Sequence, residues 1–243
     1  MTYCVSIKLN EGLVFLSDTR TNAGMDNISR VKKMFTWHVP GDRQIVILTA
    51  GNLGITQAVI SKLDEAISDH GGNQETILNT PSLFRAAELV GKCMQQVQAE
   101  YGPGLAARSE SSGATLLMGG QRVGGQPRLF QVYSAGNFIE AFDDAPFFQI
   151  GEHKYGKPIL DRVISPETPL QDGVIAALLS MDSTLRSNLG VGMPLDLAVM
   201  PSGSLGLSEF RRIEPEDQAF QEFSQQWSTQ LRDAFGIMRT MKV

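Results

Sequence analysis

Cysteine is nearly absent from this chain of 243 residues: it has two, Cys4 and Cys93, far apart and outside any CxxC spacing. That excludes a disulfide framework and a thiolate metal site, and leaves buried free thiols as the plain reading. Histidine is as scarce. His38, His70 and His153 stand apart and match no ligand pattern such as HExxH, so no metal and no cofactor is expected. No run approaches the roughly 20 apolar residues of a membrane-spanning helix, and the first residues lack a basic stretch followed by an apolar signal segment. Positive charge is also in deficit, with a formal net charge of −5. That argues against non-specific attraction to nucleic acid or anionic lipid. A cytoplasmic protein is the expectation, with neither nucleic acid nor membrane among its partners.

What is present is enough apolar residue for a sizeable core: 42% of the chain is hydrophobic and 19% charged. No repeat or linker divides it, and it reads as one domain over 1–243. Runs of β-branched and aromatic residues predict strands at Cys4–Leu9, Leu13–Leu16, Met34–Trp37 and Gln44–Thr49, the first two joined by an Asn10-Glu11-Gly12 turn. Helical spacing follows from Ile55 to Ile67 and from Pro81 to about Tyr101, where Gly102-Pro103-Gly104 is expected to end the second helix. Strands resume at Ala114–Met118, Arg128–Ser134, Phe138–Phe142 and Phe147–Ile150, with turns at Gly119-Gly120, Gly124-Gly125 and Asp143-Asp144. Two helices come next, about Tyr155–Ile164 and Leu170–Ser187, then strands at Leu195–Met200 and Ser204–Arg211. A last helix opens at Pro215-Glu216-Asp217 and carries Phe220, Phe223, Trp227, Leu231 and Phe235 on one side. The alternation of strand blocks with helix pairs predicts an α+β fold, a four-layer αββα sandwich of two antiparallel sheets flanked by helices.

The chain opens Met1-Thr2, and methionine aminopeptidases remove an initiator methionine ahead of so small a side chain. A threonine at the mature terminus combines a hydroxyl nucleophile with an α-amine of pKa about 7.7 to 8.0, which can take the hydroxyl proton near neutral pH. Met-Thr alone is a common start. Asp18 adds to it, because a short hairpin returns the end of the second strand beside the terminus. A lysine at 32 or 33 adds more: its ammonium would favour the Thr2 alkoxide, and a carboxylate beside it would hold that ammonium in place. Gly51, where a strand meets a helix, is either a backbone N–H donor to an oxyanion or an ordinary helix-start glycine.

These segments, Thr2–Leu9, Gly12–Arg20, Lys32-Lys33-Met34-Phe35 and Leu48-Thr49-Ala50-Gly51, together resemble the start of a proteasome β-type subunit, an N-terminal nucleophile (Ntn) hydrolase. The words Thr-Tyr-Cys-Val, Asp-Thr-Arg-Thr-Asn-Ala-Gly and Asp26-Asn27-Ile28-Ser29 resemble the bacterial ancestral beta subunit group, Anbu. The resemblance implies a threonine protease or amidase with Thr2 as nucleophile, Asp18 as acidic partner and Lys33 as the lysine, since it immediately precedes a hydrophobic residue and strand alternation is expected to turn Lys32 to the opposite face. It further implies Gly51 as oxyanion donor, and Arg20 and Asn22 along the substrate channel. Asn22, Met25 and Leu53 are candidates for a specificity pocket of mixed character. Where the family has Gly-Ser-Gly, this chain has Gly151-Glu152-His153, so the serine that assists the terminal amine is missing. The family's Asp-x-x-Ser-Gly element is matched only loosely at Asp182 to Asn188, and Asp182 and Ser187 are either accessory catalytic residues or polar residues at a helix end. Implied partners are peptide or small amide substrates and further copies of the chain, in rings or in ring-like or helical stacks. Docking of an ATPase stays open, as does a non-catalytic assembly role.

Overall fold

The computed structural model describes residues 1–22, 28–69 and 74–241. Two five-stranded antiparallel sheets carry the fold. One has the order β10-β1-β2-β11-β12, built from Phe147–Gly151, Tyr3–Leu9, Gly12–Asp18, Leu195–Pro201 and Glu209–Ile213. The other runs β5-β6-β7-β8-β9, from Met34–Val39, Arg43–Gly51, Ala114–Arg122, Arg128–Val132 and Phe138–Glu140. A short ribbon pairs β3 (Arg20–Asn22) with β4 (Ile28–Arg30).

The strands read as nearly continuous apolar runs because both faces of each sheet are covered. On β2, Leu13 and Phe15 point between the sheets while Val14 and Leu16 point to helices; on β6, Val46, Leu48 and Ala50 face the other sheet while Ile45 and Ile47 face helices. Period-two alternation therefore sorts one strand into two cores. Helices α1 (Leu53–Ser68) and α2 (Leu83–Ala106) cover the β5–β9 sheet, and α3 (Lys157–Val163) and α4 (Leu170–Ser187) cover the other. The result is the four-layer αββα sandwich expected from the sequence. Side chains of Asn52, Ser82 and Asp217 cap α1, α2 and the last helix, α5 (Gln218–Met238), each accepting a first-turn N–H.

Three local expectations are corrected. Helix α2 runs through Gly102-Pro103-Gly104 to Ala106, because Pro103 falls in the final turn and its own carbonyl still accepts from the Ala107 N–H at 3.0 Å. Gly119-Gly120 is no turn and lies inside β7: a Cβ at Gly119 would stand 2.6 Å from the Phe15 ring of the facing sheet, so the glycine makes room for an aromatic across the core. The strand expected from Ser204 begins at Glu209, since the Ser204 hydroxyl bonds the Pro201 and Gly206 carbonyls and curls that stretch into a turn. Of α5, only the first part packs. Phe220 and Phe223 rest on the core, whereas Leu231 and Phe235 are 50% and 68% exposed.

Candidate active site

The β1–β2 register pairs Cys4 with Ser17, so the next residues out, Tyr3 and Asp18, come together at the open end of the hairpin. There the Tyr3 N–H donates to Asp18 Oδ1 at 3.0 Å. The same oxygen accepts from Lys33 Nζ at 2.6 Å, and Oδ2 accepts from the N–H groups of Arg20 and Gly192, each at 3.2 Å. Asp18 is completely buried. Burial pushes its carboxyl up from the ordinary range, and the Lys33 ammonium with the Tyr3 and Gly192 N–H groups pulls it back. With four donors and one a cation, the carboxylate is the form this site is built around.

Lys33 is held from its main chain, whose carbonyl accepts from the Thr49 N–H at 2.9 Å. Its ammonium, in a residue only 4% exposed, also donates to the Arg20 carbonyl at 2.6 Å and the Met1 carbonyl at 3.4 Å. The cation thus stands at the Met1–Thr2 peptide group. Lys32 turns away, its Nζ 5.0 Å above the Phe35 ring. Both lysines lie ahead of β5, so the loop and not a strand pleat separates them.

Thr2 is fixed from the opposite side. Its carbonyl accepts from the Glu152 N–H at 2.7 Å, and Gly151, in a left-handed conformation, lies so close that a Cβ there would be 1.9 Å from that carbonyl. Glu152 therefore sits across from Thr2 at the position where the expected serine is missing; its Oε2 pairs with Lys154 at 3.2 Å, off the line of a hydrogen bond. Gly51 ends β6 two residues beyond Thr49 and on the same side of the strand, exposed, at φ +107°, where a Cβ would strike the Gly113 carbonyl at 2.2 Å. Only glycine fits there. Leu53 opens α1 beside it, and a cavity of about 470 Å³ between α1 and α2, including Asn52, Ile55, Ala58 and Tyr101, touches none of Thr2, Asp18 or Lys33.

The structure gathers Thr2, Asp18 and Lys33, and leaves elsewhere the two residues that the sequence read as either accessory or helix-end polar groups. Asp182 is buried against α5, accepting from Ser224 Oγ at 2.5 Å and from Arg186 at 3.2 Å, which makes it a tie between α4 and α5. Ser187 is exposed at the last residue of α4. The Arg20 main chain is spent inside the cluster, while its guanidinium bonds the Leu189 carbonyl at 3.0 Å and lies against Gly192. Asn22 is in β3, and Met25 lies outside the described residues. Sequence reading missed the Asn188–Gly192 segment, whose glycines resemble an ordinary helix stop. Among the described residues, no group of three or more His, Cys, Asp or Glu is placed to hold a metal, and no helix is long and apolar enough to cross a membrane.

The family model for proteasome subunits matches residues 2–200, a span holding every residue of this cluster. The chain belongs to the proteasome subunit family. Likeness within the family extends over the whole length. The chain is 45% identical to an Anbu (Gly-1) mutant from Hyphomicrobium sp. strain MC1, with 100% of both chains covered and a TM-score of 0.93. It is 42% identical to Anbu (ancestral beta-subunit) from Yersinia bercovieri, with 99% of both chains covered and a TM-score of 0.92. To Anbu of Pseudomonas aeruginosa, solved as a helical assembly, it is 44% identical over 99% of this chain and 98% of that one, with a TM-score of 0.92. No curated protein matches significantly. Family membership thus agrees with the fold reached from strand and helix patterning alone.

Proposed function

We propose that this chain is a threonine-type N-terminal nucleophile hydrolase that cleaves amide bonds through an ester on Thr2. The observation that carries the reading is the buried Lys33–Asp18 pair, 2.6 Å apart, with the ammonium 3.4 Å from the carbonyl of the residue that precedes Thr2. Once Met1 is removed, Lys33 loses that acceptor and its third proton is free to meet the Thr2 hydroxyl, favouring the alkoxide. The α-amine of Thr2 takes the hydroxyl proton, Oγ adds to the substrate carbonyl, and the backbone at Gly51 receives the oxyanion. Collapse of the tetrahedral species breaks the C–N bond and passes the proton from the α-ammonium to the departing amine. Water, deprotonated by the same amine, then hydrolyses the ester. The substrates are peptides or small amides.

A peptide epoxyketone, which captures a terminal amine and its neighbouring hydroxyl together, tests this reading. Intact mass is expected to show a chain lacking Met1 and gaining one adduct, with no adduct on Thr2→Ala. A wild-type chain that lacks Met1 and takes no adduct would overturn it.

Self-association is the second part of the proposal. The outer half of α5 presents Leu231, Phe235, Ile237 and Met238, all at least 50% exposed, an apolar surface larger than isolated exposed side chains need. The assembly of the related Pseudomonas protein supports packing between copies. Native mass spectrometry is expected to give oligomers; a monomer at micromolar concentration would refute this part.

A further inference from the structure

Glu152 stands opposite Thr2 with a buried carboxylate oxygen that has no hydrogen-bond donor. Tyr3 pairs with Gly151 in the β1–β10 ladder, and the Glu152 N–H donates to the Thr2 carbonyl at 2.7 Å, which carries the pairing one residue beyond the strands. Two residues inward, Cys4 and Ile150 pair, and both sit in the core between the sheets. Side chains repeat every second residue, so Thr2 and Glu152 face that same side as cross-strand neighbours, with Cβ atoms about 5 Å apart. Oε2 of Glu152 is buried and accepts no hydrogen bond among the described residues. Lys154 Nζ is 3.2 Å away but off the line of such a bond; its side chain is 64% exposed and its ammonium also lies 5.3 Å from the Tyr155 ring centroid. A buried acceptor without a donor is uncommon and calls for a physical account.

Resting on Thr2 as nucleophile, we infer that Glu152 is a positioning residue for the base: its Oε2 accepts an N–H of the mature Thr2 α-amine and orients that amine toward the Thr2 hydroxyl. While Met1 is attached, the Thr2 nitrogen is an amide with a single proton. Excision of Met1 turns it into an amine that carries up to three, and so creates a donor beside the oxygen that lacks one. The other charged groups around the site are engaged elsewhere. Lys33 serves Asp18, the Arg20 carbonyl and, in the proposed reaction, the Thr2 hydroxyl; the Arg20 guanidinium binds the Leu189 carbonyl; His153 Nδ1 lies 3.2 Å from the Gly151 carbonyl. Glu152 takes no proton. Its negative charge favours the ammonium formed when the amine accepts the hydroxyl proton, and the contact fixes the direction of the amine lone pair, as a carboxylate does for the base of a triad.

Trace acetylation of the terminal amine as a function of pH, read by peptide mass, gives its pKa. The measurement uses Thr2→Ala, which has no hydroxyl nucleophile and, as intact mass verifies, still loses Met1. An ordinary terminal amine titrates at about 7.7 to 8.0. Adding Glu152→Gln, which keeps the shape and removes the charge, is expected to lower the amine pKa by at least about one unit, because an opposite charge in contact holds the ammonium. Adding Lys154→Met instead is expected to leave it unchanged or higher, since the carboxylate remains and loses its other cation. With Thr2 intact, Glu152→Gln is expected to move the acid limb of epoxyketone capture to lower pH by the same amount and to cut the maximal rate at least about tenfold. Asp18, Lys33, Arg20 and His153 are common to every chain, so their titration cancels in the comparison. The same amine pKa with and without Glu152→Gln, or an equal fall on Lys154→Met, overturns the assignment. Absence of the epoxyketone adduct on the wild type overturns instead the nucleophile reading beneath it, on which the amine pKa does not depend.

Discussion

Replacing Lys33 by methionine keeps an unbranched stem in the packed site and removes the charge, which makes it the sharpest probe of the cluster. Asp18 is then left fully buried with three backbone N–H donors and no cation. Removing one partner of a buried ion pair costs about 3–5 kcal/mol, a large part of the roughly 5–15 kcal/mol by which domains are stable. The cost depends on pH, and its sign follows from the direction of the Asp18 shift. Burial raises this carboxyl, and Lys33 is the largest influence opposing the rise, so its loss lifts the folded-state value further. A folded-state pKa above the unfolded one means that the native variant binds more protons. Its stability relative to the wild type is then highest at low pH and declines as pH rises through the folded value, by up to about 1.4 kcal/mol per pH unit. Urea unfolding of wild type and Lys33→Met at pH 5 and pH 8 gives the difference directly. The variant is expected to be markedly less destabilised at pH 5. An equal penalty at both values, or one below about 1 kcal/mol, would refute the buried, charge-paired description of this site.

Other tests address neighbouring parts. Lys33→Ala is expected to slow epoxyketone capture by at least about a hundredfold, a typical size for loss of proton-transfer assistance, while Lys32→Ala, whose ammonium sits over Phe35, changes it less than about threefold; the reverse ranking would exchange their roles. Gly119→Ala drives a methyl against the buried Phe15 ring and should destabilise by about 1–3 kcal/mol in chemical denaturation; a neutral result would mean that the sheets can part there. Burial pushes the Cys93 thiol up to about 11 and Cys4 higher, so neither should react with a disulfide reagent at pH 8 in the native protein, and both should react in guanidinium; native labelling of either would contradict that packing.

Much of this protein was legible in its sequence, for reasons that differ by residue. The layers were readable because period-two strands and period-3.6 helices are local signals, and the order of strand and helix blocks admits few compact solutions. The Thr2–Asp18 approach was readable because a hairpin with strands of equal length has only one place for its far end. Lys33 was preferred over Lys32 from resemblance; only the folded loop ahead of β5 sets one ammonium on Asp18 and the other on Phe35. Tertiary structure alone decided the rest. Gly119 reads as a turn until Phe15 of the other sheet is placed against it. Asp182 reads as a catalytic candidate until Ser224, 42 positions later, takes its carboxylate. The Asn188–Gly192 turn carries no local sign of its role, because its contacts with Met1, Asp18 and Arg20 span more than 160 residues of chain. Local propensity is written in neighbouring residues, whereas a site assembled from the two ends of a chain exists only when packing brings them together.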